Sequence, residues 1–136
     1  MAIVADADGD GRADLLVGAY ENDTTGGDAG AAYFVSGPAA GDISMADATL
    51  KLEGESGFDW AGYQVTSAGD TDGDGLAELL VGSPNHSEGA AYLGGTAYLV
   101  AEPGSGMESL GSATAKVVGT VSYQGLAVGL AGPGDV

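Results

Sequence analysis

Cysteine is missing from this sequence of 136 residues, and basic residues are scarce: Lys and Arg number 3, against 20 Asp and Glu. Without cysteine there is no disulfide framework and no thiol chemistry. The formal net charge of −17 should repel nucleic acid and anionic membrane surfaces and attract cations. No apolar run approaches the roughly 20 residues that span a bilayer. We therefore expect neither a nucleic-acid partner nor membrane insertion.

Candidates for catalysis are equally few. The chain has 1 histidine, His86, which stands in a polar loop with no nucleophile motif nearby. We interpret it as an ordinary loop residue. No independent pair of carboxylates recurs outside two acidic loops, residues 6–14 and 70–78, so the chain is not expected to be an enzyme.

The two acidic loops share one pattern. Acidic side chains occupy positions 1, 3, 5 and 9, and glycine occupies positions 4 and 6. Alternating carboxylates in a tight turn converge on one point, and hard oxygen ligands suit Ca²⁺. The predicted ligands are the side chains of Asp6, Asp8, Asp10 and Asp14 with the carbonyl of Arg12, and the side chains of Asp70, Asp72, Asp74 and Glu78 with the carbonyl of Leu76.

Other loop types fit this pattern less well. An EF-hand needs a bidentate Glu at position 12, where Val17 and Val81 stand, and it needs helical flanks. Mg²⁺ is less suited because it keeps several of its waters. An Asp-Gly turn without metal remains the alternative. If calcium binds, we expect a structural role, because it would neutralise converging carboxylates and hold the turn together.

The segments between the loops are short apolar runs bounded by glycine, which is typical of strands. They repeat in the same order after each loop, without helical periodicity. Four short strands per repeat of roughly 60 residues predict an all-β repeat fold of four-stranded antiparallel sheets, the blades of a β-propeller. The predicted strands are residues 14–20, 30–36, 49–53, 61–68, 77–83, 95–101, 115–120 and 125–132, the last of them aligned with residues 62–69.

The chain resembles the FG-GAP repeats of the integrin α-subunit β-propeller. The residues that carry this resemblance are Ala-Gly-Tyr at 61–63, Gly-Asp-Thr-Asp-Gly-Asp-Gly at 69–75 and Leu-Leu-Val-Gly-Ser-Pro at 79–84, and residues 10–20 repeat the second half. Tyr20 stands where the family usually has proline. The resemblance implies that each metal loop joins strands 1 and 2 on one face of the propeller. It also implies that protein or glycan partners bind on the opposite face.

The repeat divides the chain into about two blade-equivalents. Residues 1–60 hold strands 2 to 4 of a first blade with the loop 6–14, residues 61–120 a complete second blade with the loop 70–78, and residues 121–136 strand 1 of a third. A third loop begins at Asp135. Because propellers need four to eight blades to close, we expect either a partial propeller from a longer chain or a ring completed by oligomerisation, as a trimer or tetramer.

These expectations define the predicted function. The chain should be a calcium-stabilised binding, adhesion or scaffold module of a secreted or cell-surface protein, although no signal peptide is visible in it. The alternatives are an accessory region of a secreted hydrolase and a unit that closes a propeller by self-assembly. Trp60 and Tyr63 are interpreted as packing groups, with a platform for sugar binding as the alternative.

Overall fold

The computed structural model describes residues 1–132, in which nine β-strands form two sheets. Two short 3-10 turns, Met45–Asp47 and Leu110–Ser112, are the helical segments within this range, and no helix there is long and apolar enough to cross a membrane. The strands are β1 (Ala2–Val4), β2 (Asp14–Ala19), β3 (Ala31–Val35), β4 (Leu50–Glu53), β5 (Gln64–Gly69), β6 (Glu78–Ser83), β7 (Thr96–Val100), β8 (Gly106–Ser109) and β9 (Ala115–Val118).

The two sheets have the same antiparallel order. The first runs β1-β2-β3-β4 and the second β5-β6-β7-β9. Each contains four up-and-down antiparallel strands, and the first sheet has β8 as a fifth. Strand β5 of the second sheet lies against β1 and β2 of the first. The prediction of an all-β fold built from four-stranded antiparallel blades is confirmed, and the two blades leave the propeller unclosed.

The core lies between the two sheets because alternate residues of each strand point to opposite faces. In β2, Leu16 is fully buried, whereas Leu15 and Val17 on the other face are half-buried. In β6, by contrast, five of the six residues are buried, and Ala127 and Leu130 lie against Gly82 on the second face of that sheet. The buried side chains of the core include Leu16, Phe34, Leu50, Leu52, Val65, Leu79, Val81, Tyr98 and Val100.

Two strands were not foreseen from the sequence. Strand β1 pairs with β2, with Ala2 opposite Leu16, so the first blade has four strands where three were predicted. Strand β8 leaves the second blade and pairs in parallel with β4, with Gly106 opposite Leu50. All four residues of β8 are exposed. The strand therefore lacks the alternation of buried and exposed residues from which it could have been predicted.

The prediction of a strand at residues 125–132 is wrong, since the segment 121–132 contains no strand. This segment nevertheless packs against the second blade as residues 56–67 pack against the first. The amide of Leu126 donates to the carbonyl of Gly94 at 3.0 Å, and the amide of Ala61 donates to the carbonyl of Ala29 at 3.0 Å. Leu126 is therefore the counterpart of Ala61, and Gly125 corresponds to Trp60 rather than to Gly62. The predicted third loop at Asp135 lies outside the described residues.

Candidate metal centres

The first aspartate of each acidic loop holds its turn closed. The carboxylate of Asp6 accepts hydrogen bonds from the amides of Gly9 at 2.7 Å and Gly11 at 2.9 Å. Asp70 accepts equivalent bonds from Gly73 at 2.6 Å and Gly75 at 2.9 Å. All four glycines have a positive φ, which a residue without Cβ adopts at little cost. This explains why the two loops need glycine at positions 4 and 6.

Within each loop the carboxylates converge. Oxygens of Asp70, Asp72, Asp74 and Glu78 all lie within 4.8 Å of one another, as do those of Asp6, Asp8 and Asp10. Such a group of like charges is repulsive unless a cation lies among them. An all-oxygen donor set suits Ca²⁺, which takes six to eight oxygen ligands. The residues present therefore fit a calcium ion in both loops.

The two loops differ at their ninth position. Glu78 belongs to the group of converging oxygens in its loop, whereas Asp14 does not. The oxygens of Asp14 instead accept hydrogen bonds from the amides of Ala7 and Gly37, both at 2.9 Å. Glu78 is longer by one methylene, so it bonds to the amide of Thr71 and still reaches the group. Burial raises the pKa of Asp14 although both backbone hydrogen bonds oppose the shift.

The residues at position 7 have the same local geometry in both loops. The amide of Arg12 donates to Asp10 and that of Leu76 to Asp74, each at 2.8 Å. These bonds fix the backbone at the point where a carbonyl ligand is predicted. The guanidinium of Arg12 lies 3.7 Å from Asp10 and is largely exposed, so it offsets little of the charge of the loop. The carbonyl ligands remain predictions.

A second polar group lies at the other end of β6, and sequence reasoning missed it. His86, which is interpreted from the sequence as an ordinary loop residue, is buried. Its Nδ1 lies 2.8 Å from Oδ2 of buried Asp59, and its Nε2 lies 3.2 Å from Oε2 of Glu88 and 3.8 Å from Oε1 of Glu55. Glu55 and Asp59 come from the connection between the blades, so this group joins the two blades.

Hydrogen bonds shift the pKa values of His86 and Glu55 in this group. The bond to Asp59 raises the pKa of His86 although burial opposes it. Burial disfavours the charged form of Glu55, but hydrogen bonds from Lys116 at 2.6 Å and Tyr98 at 2.9 Å outweigh burial and lower its pKa. Residues from four separate segments meet here, so no local sequence motif marks the group.

Three aromatic residues cluster on the same face as His86, opposite the acidic loops. Trp60 and Tyr63 stack with ring centroids 6.0 Å apart, and Tyr20 packs edge-on against both. Tyr20 and Tyr63 are exposed, and Trp60 is half-buried. The rings therefore pack against each other, as the sequence predicts, and also present an aromatic surface to solvent.

The family comparison agrees with this geometry. The model of the FG-GAP repeat matches residues 2–35 and 61–100, which together make up more than half of the chain and include both acidic loops. No curated protein matches the chain. The residues Glu55, Asp59 and Lys116 lie outside the matched segments.

Proposed function

The chain belongs to the FG-GAP repeat family, and from this premise we propose that it is a calcium-stabilised module for binding or adhesion outside the cell. The family and the two blades make it a β-propeller-type module. Calcium, the extracellular setting and the binding role are the parts that we add. Calcium is at millimolar levels outside cells, where modules with weak sites of this kind are loaded.

The observation that carries the proposal is the group of four carboxylates at Asp70, Asp72, Asp74 and Glu78. It lies in the turn between β5 and β6, and its equivalent at Asp6, Asp8 and Asp10 lies in the turn between β1 and β2. One cation in each turn would neutralise the carboxylates and hold together the two inner strands of each blade. This geometry supports a structural role, because each group lies in the turn that joins two paired strands.

Calcium titration tests the proposal directly. In isothermal titration calorimetry of the metal-free protein, we expect two Ca²⁺ ions per chain, with the tighter site in the loop that gathers four carboxylates. Glu78→Gln should weaken one of the two sites by about tenfold or more, because it removes a charged ligand. Absence of calcium binding would refute the proposal.

Asp14→Asn provides the matched control. Its side chain stands at the same loop position but outside the converging oxygens, so calcium affinity should change much less than in Glu78→Gln. Its stability should fall by about 1–3 kcal/mol, since the amide group can accept only one of the two backbone hydrogen bonds. Equal losses of affinity in both variants would show that Asp14 is a ligand after all.

The partner surface that we propose is the face opposite the acidic loops. The loop containing Tyr20, the connection containing Trp60 and Tyr63, and the loop containing His86 all meet there. Exposed aromatic rings beside polar loops suit a protein or glycan ligand, since aromatic residues provide much contact area at low entropic cost. We propose binding rather than catalysis for this face, because its carboxylates are already engaged in hydrogen bonds with His86, Lys116 and Tyr98.

Exposed apolar residues at both ends of the described chain favour self-association as a second candidate function. Ile3 is 73% exposed in the first blade, and Tyr123 and Val128 beside the second blade are 75% and 59% exposed. A second copy of the chain would cover these surfaces and continue the ring of blades. Light scattering in calcium should then give a discrete trimer or tetramer, of six or eight blades. A monomeric mass at high concentration would rule out this candidate and leave the binding module unaffected.

A further inference from the structure

We propose that Glu55, His86 and Glu88 form a site for a divalent transition metal ion of the Zn²⁺ class, with Asp59 orienting the histidine ring. The three candidate ligand atoms lie within 4.8 Å of one another. This group lies beyond the carboxyl end of β6, whereas the acidic loop 70–78 lies before it. The two sites are therefore on opposite faces of the same blade.

The arrangement of acceptor atoms around the His86 ring carries the inference. A neutral imidazole has a single N–H, and Asp59, at 2.8 Å from Nδ1, is placed to accept it. The lone pair of Nε2 then points toward oxygens of Glu88 and Glu55, which are also acceptors. Lys116 already supplies a cation to Oε1 of Glu55. Nε2 of His86 and Oε2 of Glu88, at 3.2 Å, still need a cation between them, which is either an extra proton on the ring or a metal ion.

The distances fit a metal ion. With Zn–N and Zn–O bonds of about 2.0–2.1 Å in a tetrahedron, neighbouring ligand atoms are about 3.3 Å apart. The separations from Nε2 to Glu88 and Glu55 are 3.2 and 3.8 Å, on either side of that value. A histidine ligand that donates its other N–H to a carboxylate is the usual arrangement of zinc sites, and Asp59 supplies that carboxylate.

The donor set also separates this site from the acidic loops. Imidazole nitrogen suits zinc and its neighbours, whereas Ca²⁺ prefers oxygen ligands alone. Glu55 already accepts hydrogen bonds from Lys116 and Tyr98 through Oε1, the oxygen that lies 3.8 Å from Nε2. A metal bound through Oε2 would leave both hydrogen bonds in place, because each carboxylate oxygen has its own acceptor positions. Bound metal would connect Glu55 of the connection between the blades with His86 and Glu88 of the second blade.

The first repeat supplies a control residue. The amide of Gly95 donates to the carbonyl of His86 and that of Gly30 donates to the carbonyl of Asn22, both at 2.9 Å. Asn22 is therefore the counterpart of His86. His86→Asn places in the second repeat the residue that the same loop already contains in the first, so the backbone conformation should be retained.

Titration with Co²⁺ and Zn²⁺ in saturating calcium tests the site. We expect one ion to bind per chain. Bound Co²⁺ should show the visible absorption bands of an ion with few ligands, and Zn²⁺ should abolish these bands by displacing it. His86→Asn and Glu88→Gln should each weaken binding at least tenfold, and Asp59→Asn should weaken it 10- to 100-fold, as for other partners of ligating histidines. Circular dichroism confirms folding, and Glu88, with its side chain 52% exposed, is the substitution least able to disturb it.

Two results would overturn the proposal. One is that the wild-type protein binds neither ion in saturating calcium, which leaves a protonated His86 as the cation of the group. The other is that His86→Asn and Glu88→Gln bind as tightly as wild type while Asp72→Asn does not, which would place the ion in the acidic loop 70–78.

Discussion

Removal of calcium with EGTA is expected to lower the melting temperature of this chain by roughly 10 °C for each loop that was previously near saturation. An ion held at about 100 times its Kd stabilises the folded state by about 2.7 kcal/mol. For a chain of this size, 1 kcal/mol corresponds to roughly 3–5 °C. The physical reason is that the converging carboxylates of Asp70, Asp72, Asp74 and Glu78 repel one another once the ion has left. Differential scanning calorimetry measures the shift.

The controls separate calcium from general screening. Readdition of Ca²⁺ should restore the melting temperature, and equimolar Mg²⁺ should restore less of it, because Mg²⁺ retains its waters. Salt at 1 M should restore part of the lost melting temperature, because it screens charges that are more than about 3 Å apart. Hydrogen exchange should locate the loss of protection in β5 and β6. If melting temperature and exchange are unchanged by EGTA, the structural role of calcium is wrong.

Replacement of Gly30 by alanine is expected to cost about 3–4 kcal/mol, at the upper end of what single substitutions usually do. Gly30 has a φ of 80°, where a Cβ costs about 1–2 kcal/mol. A Cβ at this position would also overlap the backbone of Ala61, with which Gly30 forms a bridge. The connection between the blades would have to move, which adds about 1–3 kcal/mol. Urea denaturation measures the loss as a lower midpoint.

Gly41→Ala is the matched control for this substitution. Its φ is 72°, close to that of Gly30, but a Cβ added there meets no atom within 4 Å. It should therefore cost only the backbone term of about 1–2 kcal/mol. If both variants lose the same stability, close approach of the two blades at Ala61 contributes nothing and the backbone conformation explains the whole effect.

The sequence predicted the blades because their signals are local. Leu79 and Val81 follow the acidic loop directly, and Leu15 to Val17 follow the other loop in the same way. A short apolar run bounded by glycine is too short for a stable helix and favours a strand, and the structure has strands at both places. The turn geometry of the acidic loops is local too, since Asp6 and Asp70 bond to amides three and five residues away.

Alignment by residue identity failed where backbone conformation matters more than residue type. Matching glycine to glycine placed Gly125 on Gly62. In the structure, Gly125 and Trp60 share a φ near 60°, and Ala127 with a φ of 68° takes the place of Gly62 at 81°. Non-glycine residues hold these left-handed positions because contacts with the neighbouring blade stabilise them. An alignment of residue types contains no information about such contacts.

The sequence by itself therefore determined the repeat, the antiparallel blades and the acidic loops, because each depends on residues close together in the chain. Only the tertiary structure decided that Glu78 joins its loop group while Asp14 turns to Gly37. It also decided that His86 is buried among Asp59, Glu55 and Glu88. The first arrangement depends on contacts within each blade, such as that of Asp14 with Gly37, and the second on how the two blades pack. Both bring together side chains or backbone from segments that are distant in the chain.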